Sequence, residues 1–178
     1  MVSPIVNYAI RGFQAVFASV VLGLSVTLVR NQGPGLASPL SLRYAAFVGG
    51  FTLLAAFVGV AAEFLSALQG KVVFLLDGLV TLISISGGVL LAVLIGGANC
   101  GDASLLNRAK LFENDLFNGG CEGKGDNRKC WNGFGHGREK YLNSRCKESQ
   151  ATSVFMFFVV GLMFASMTMT FLRSKKGY

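Results

Sequence analysis

Apolar residues in this chain gather into four long runs, each fenced by charge. Residues 12–29 lie between Arg11 and Arg30, and residues 44–62 between Arg43 and Glu63. Residues 72–98 follow Lys71, and residues 151–172 precede Arg173. A helix needs roughly 20 apolar residues to cross a bilayer core, so every run is long enough. None alternates with a period of two over about ten residues, which argues against a transmembrane barrel. The pattern predicts an all-α integral membrane protein, an antiparallel bundle of four transmembrane helices in one domain covering residues 1–178. A long polar loop, residues 99–150, separates the third span from the fourth.

Composition agrees. Of 178 residues, 52% are hydrophobic and only 14% charged, against about a quarter charged in a soluble domain. The net charge of +7 would suit nucleic acid in a soluble chain. Among apolar spans it points instead to topology and anionic lipid. Residues 1–10 carry no basic stretch of the kind that opens a signal peptide, so the first run is expected to remain in the mature protein.

Orientation follows from where the cations fall. An even number of spans puts both termini on one side, together with Arg11, Lys71, Arg173, Lys175 and Lys176; the short first loop holds only Arg30 and Arg43. The positive-inside rule then predicts cytosolic termini and an extracellular long loop. All four cysteines, Cys100, Cys121, Cys130 and Cys146, lie in that loop. An even set confined to one extracytosolic segment reads as two disulfides. The intervals of 20, 8 and 15 residues hold no close Cys pair, which disfavours zinc even with His136 as a further ligand. Four cysteines allow three pairings. One of them, Cys100 with Cys146, would staple the ends of the third and fourth spans and leave Cys121 and Cys130 to close a small inner loop.

Within the loop, Asp102 is placed to cap a helix that sets Leu105, Ala109, Phe112 and Leu116 on one face. Seven glycines follow in the 19 residues of 119–137, where no regular element is expected. Trp131, Phe134 and Tyr141 accompany them. They are read as packing within a disulfide-tied cap or resting at headgroup level, in preference to a docking surface. No N-glycosylation acceptor occurs. Ser3-Pro4 resembles a helix start. Val2, Ile5, Val6, Ala9, Ile10 and Phe13 then suggest a short interfacial helix before the first span. The tail "RSKKGY" offers Arg173, Lys175 and Lys176 to anionic inner-leaflet lipid, at about 1 kcal/mol per cation.

Helices in lipid associate where small side chains let backbones approach. Ala15, Ser19, Gly23 and Thr27 form one such ridge in the first span, and Ser84, Gly88, Ala92 and Gly96 another in the third. Shorter pairs are Ala45 with Gly49, Ala55 with Gly59, and Gly161 with Ala165. Most of this packing is assigned to the bundle itself and the remainder to a homo-oligomer. Asp77 is the acid inside a span, roughly 9 Å along the helix from Lys71. Burial of an acid there is costly and marks a candidate functional residue. The favoured role is structural, with Arg11, Gln14 or Lys71 as partner and Glu63 close by; the alternatives are a lipid-headgroup or regulatory role, or proton transfer in a small transporter or channel. One acid alone makes a poor transport path. No catalytic motif is present, and no enzyme activity, metal or cofactor is expected.

Two stretches carry a family resemblance. "FLLDGLVTLISISGGVLLAVLIGGANC" places an acid early in the third span and a cysteine at its end, and "SRCKESQATSVFMFF" leads into the fourth. With four spans and short termini, the chain resembles the fungal MARVEL-like four-span proteins of the non-classical export family. The cysteine pair flanking this loop in that family matches Cys100 and Cys146. Cys121, Cys130 and the Gly-rich insert around them depart from its shorter loop, and the tail is short. The resemblance implies a plasma-membrane organiser of sphingolipid- and sterol-rich, furrow-like domains called eisosomes, with eisosome scaffold proteins as partners. A tetraspanin-like partner scaffold is the rival, but the Cys-Cys-Gly motif of tetraspanin loops is absent.

Overall fold

The computed structural model describes residues 4–62, 64, 71–123, 129–133 and 137–175, with only a place in a helix for Pro4 and residues 173–175. Five helices dominate: α1 (Pro4–Arg30), α2 (Leu40–Ala61), α3 (Lys71–Ile95), α4 (Leu105–Glu113) and α5 (Glu139–Lys175). Between α4 and α5 lie β1 (Cys121–Glu122) and β2 (Lys129–Cys130), paired antiparallel with Cys121 opposite Cys130. Val2, Ser3, Glu63, Phe134, His136 and Lys176, each singled out above, lie outside the described residues.

Among the described residues four helices are long and apolar enough to cross a membrane: α1, α2, α3 and α5. Their ends differ from the charge-bounded spans for local reasons. There is no separate interfacial helix, because nothing between Pro4 and Gly12 interrupts the backbone ladder; α1 runs unbroken for 27 residues. α2 opens at Leu40, directly after Pro39, because Arg43 is compatible with a helical turn. α3 stops at Ile95 and not at residue 98. Gly97 takes a positive φ of 75°, the left-handed turn that closes a helix and favours glycine. α5 begins twelve residues before the apolar run and reaches 37 residues, about 55 Å at the standard rise. Its first three turns therefore project past the membrane core and belong to the cap.

The bundle is a ring. α1 packs on α2 and α5, and α3 packs on α5 and α2, so α1 and α3 stand across a diagonal. Apolar side chains face outward along it: Leu54, Leu82 and Phe158 are each more than half exposed. The interior mixes apolar side chains, Val21, Leu28, Val80, Leu91 and Met163 among them, with polar ones: Gln14, Ser25, Thr52, Asp77, Ser84, Ser153 and Ser166 are all buried. An apolar outer face suits lipid, which solvates Leu and Phe as well as a core does.

At the loop end a cap closes the ring. Its apolar residues Leu111, Leu116, Phe117 and Leu142 are continuous with Leu28, Leu42 and Leu91 of the bundle. The Cys100–Cys146 disulfide ties the residues after α3 to α5, and Cys121–Cys130 closes the small hairpin. This is the staple pairing. Ser104, not Asp102, caps α4: its hydroxyl accepts from the Asn107 N–H, while Asp102 accepts from the Ser104 N–H and hydroxyl. Those two bonds, the backbone N–H foremost, hold the Asp102 carboxyl below its ordinary pKa. The buried face of α4 is Asn107 and Leu111, with the Asn107 amide donating to the carbonyls of Asn99 and Asp102; of the predicted stripe Leu105 and Ala109 are exposed, Phe112 is half-buried and Leu116, past the helix end, is buried. The Gly-rich segment does hold a regular element, the two-residue β1–β2 pairing; Gly119 and Gly120 lead into β1, and Gly123 leaves it, each with a positive φ.

Candidate functional site

The chemistry of the interior converges on one cluster near the ends of the bundle opposite the cap. Asp77 comes from the second turn of α3 and Arg11 from the second turn of α1, on the far side of the ring. The Arg11 guanidinium donates through Nη1 to Asp77 Oδ1 and through Nη2 to Oδ2, both at 2.7 Å, a bidentate pair with both residues buried. Ser166 of α5 donates its hydroxyl to Asp77 Oδ2 at 2.7 Å. Gln14, one turn past Arg11, accepts from Nη1 at 2.9 Å and donates to the Thr52 carbonyl of α2 at 3.4 Å. Thr81 donates to the Asp77 main-chain carbonyl at 2.7 Å. One neutral network thus holds all four transmembrane helices.

The packing around it is specific. A Cβ at Gly59 would collide with the Arg11 side chain, so the guanidinium stem lies in the space that α2 leaves open there. Of the partners foreseen for Asp77, Arg11 pairs directly and Gln14 through Arg11. Lys71 is not brought in: it sits exposed at the first residue of α3, six residues from Asp77, on a part of the helix that faces outward. Both carboxylate oxygens are occupied by strong donors, and removal of either ionic partner would strand a charge in an apolar interior at about 3–5 kcal/mol.

The two small-residue ridges part company. On α3, Ser84 and Gly88 are buried. Gly88 meets Phe157 and Met156 of α5, and Ser153 donates to the Gly88 carbonyl at 2.9 Å. Ala92 and Gly96 are exposed. On α1, Ser19, Gly23 and Thr27 face outward and Ala15 is half-buried; Ser19 and Thr27 satisfy their hydroxyls on the carbonyls of Ala15 and Gly23. The tight α1–α2 approach is made instead by Gly49, where a Cβ would stand 2.7 Å from the Leu22 nitrogen.

The family model of the MARVEL membrane-associating domain matches residues 4–169. The chain belongs to that family. A relative in Schizosaccharomyces pombe, "Non-classical export protein 2 homolog", is 24% identical over 162 residues, covering 90% of this chain and 73% of the relative. No solved structure matches. In this MARVEL domain the matched stretch takes in α1, α2, α3, the cap and α5 as far as residue 169, including Arg11, Asp77 and Ser166.

Reading the sequence missed three members of the cluster. Ser166 had a usable signal: it lies seven residues before Arg173, as Asp77 lies six after Lys71, so both share one depth. Gly59 was one small residue among many, and the Thr52 carbonyl has no signature at all. At the other end of the MARVEL domain, Arg145 was also unforeseen. It is buried and donates to the carbonyls of Leu116 at 3.2 Å and Asn31 at 3.1 Å, joining the long loop to the short one. Trp131 packs over Gly33 of that short loop, with Arg138 stacked 3.9 Å from its ring centre, the self-packed arrangement. The inner-leaflet candidates Arg173 and Lys175 lie in the last turn of α5.

Proposed function

We propose that this MARVEL protein is a non-enzymatic organiser of the plasma membrane, which self-associates and binds or senses lipid in sphingolipid- and sterol-rich, eisosome-type domains. In this reading the four helices form an antiparallel bundle with both termini cytosolic and the cap extracellular. The observation that carries it is the Arg11–Asp77–Ser166 lock: the interior charge is spent on holding four helices together, while the faces turned to lipid are apolar. A body built this way works through its outer surface. Self-association is assigned to the outward ridge of α1, Ala15, Ser19 and Gly23, where nothing lies within 4 Å of an added Cβ at Gly23. Anionic inner-leaflet lipid is assigned to Arg173, Lys175 and Lys176. The pairing of both carboxylate oxygens disfavours the transporter reading, which needs Asp77 free to exchange a proton.

Native mass spectrometry of protein released from its own membrane without full delipidation tests the proposal. A defined oligomer retaining sphingolipid or sterol is expected. A bare monomer, together with solute flux that Asp77→Asn abolishes in a folded protein, would overturn it in favour of transport.

A further inference from the structure

An open groove of about 620 Å³ runs along the side of the bundle where α2 meets α3, lined by Leu40, Ser41, Arg43, Tyr44, Phe47 and Leu90. It lies at the cap end: Leu40–Phe47 are the first two turns of α2, and Leu90 stands five residues before the end of α3. Its wall is apolar and reaches outward, with Leu40 80% and Phe47 56% exposed. Its floor is fixed. Tyr44 crosses to α3 and shares hydroxyl contacts with Ser86 Oγ at 2.8 Å and the Ile83 carbonyl at 3.2 Å. Gly87 leaves room for the ring, since a Cβ there would sit 3.4 Å from it.

The mouth of the groove has the opposite character. Arg43 is exposed and is steadied by its Nε, which donates to Ser38 Oγ at 2.9 Å. Among the described residues no acid pairs with it, and its two terminal amino groups remain for a ligand. Ser41 stands beside it. α2 also starts here with no side-chain cap on its first N–H groups, so the positive end of the helix adds to the same charge. Apolar wall below and unpaired cation above is the outline of an amphiphile, and the cation specifies its head.

We propose that this groove is a binding site for a phosphate-bearing membrane lipid, one acyl chain lying along Phe47 and Leu90 and the phosphate on Arg43 and Ser41. The occupant is a lipid and not free phosphate, because the greater part of the lining is apolar and opens to the hydrocarbon. This site deepens the organiser reading and rests on it: it places the lipid in the leaflet on the cap side, distinct from the basic tail at the opposite end.

The test is photo-labelling of the full chain in vesicles of digalactosyldiacylglycerol, a bilayer lipid without phosphate, doped with one of two diazirine-tagged probes, a phosphatidylglycerol or a diacylglycerol with the same chains. Cross-links are mapped by mass spectrometry. Phosphatidylglycerol is expected to label the peptides carrying Tyr44, Phe47 and Leu90. Arg43→Gln is expected to weaken that labelling about tenfold, the loss of one charge-assisted hydrogen bond to phosphate, and to leave diacylglycerol labelling unchanged. Leu90→Trp, which fills the groove from an exposed position, should abolish labelling there by both. Labelling spread evenly around the bundle, or indifferent to Arg43→Gln, overturns the site. A lipid-bearing oligomer whose cross-links lie elsewhere sinks the groove and leaves the organiser reading standing. Groove labelling in a protein that stays monomeric upholds the site and counts against that reading.

Discussion

The two ends of this bundle are held by different chemistry. At the end opposite the cap, one bidentate ion pair crosses the diagonal of the ring, and Ser166 and Gln14 complete it. At the cap end a disulfide joins the residues after α3 to α5, and side-chain donors reach main-chain carbonyls. Asn143 reaches those of Cys100 and Asp102, Asn107 those of Asn99 and Asp102, and Arg145 those of Leu116 and Asn31. The difference follows from what each end must satisfy. Inside the helices each carbonyl already accepts from the ladder and takes at most a second donor, as Thr52 does from Gln14 and Gly88 from Ser153, so the buried charges must pair with each other. In the cap the backbone is irregular and leaves carbonyls open, which Asn and Arg then fill.

If that contrast is right, the largest loss of stability comes from the lock. Asp77→Ala should cost about 3–5 kcal/mol, because Arg11 is left buried without its counter-charge. Unfolding in a denaturing detergent measures it. Replacing both partners, Arg11→Met with Asp77→Leu, should recover most of that cost; a double variant as unstable as the single one would mean that the pair is not the source.

Next come the glycines. Gly49→Ala pushes a methyl group into the Leu22 backbone and should cost about 1–3 kcal/mol. Gly23→Ala meets open space and should be neutral or slightly stabilising, about 0.5–1 kcal/mol from helix propensity. Equal effects at the two sites would erase the distinction between the inward and outward small-residue faces. Any change of oligomeric state should appear at Gly23 alone.

Removing the staple, Cys100→Ser with Cys146→Ser, should cost about 2 kcal/mol, at the low end for a disulfide. The chain between the two cysteines is anchored in the membrane at both ends, so its unlinked state has less freedom to regain. Hydrogen exchange should rise in residues 99–150 and not in the lock. The reverse pattern would show that the two ends are coupled.

The smallest effect is one of pH and belongs to the cap alone. The Asp102 carboxyl titrates below its ordinary value, so its two bonds to Ser104 stabilise the fold at neutral pH. That contribution fades as the pH falls through the lowered folded value. The Ser104 amide resonance should report it. A transition at the ordinary aspartate value would mean that the bonds are not kept in solution.

Some of this was written in the chain itself. Hydropathy alone marked four membrane helices, because a span needs length and apolar character and little else. The disulfide-rich cap was equally legible, since all four cysteines fall in one segment. Asp77 announced itself because a charge in an apolar run must be compensated. Only the tertiary structure decided how. Which of several nearby cations pairs with Asp77 depends on helix rotation and on which helices face each other across the ring, and small-residue spacing repeats on every face of a Gly-rich helix without saying which face turns inward. The α1 ridge and the α3 ridge have the same spacing, yet one packs against α5 in part and the other looks outward. Spacing is a property of one helix; burial is a property of two.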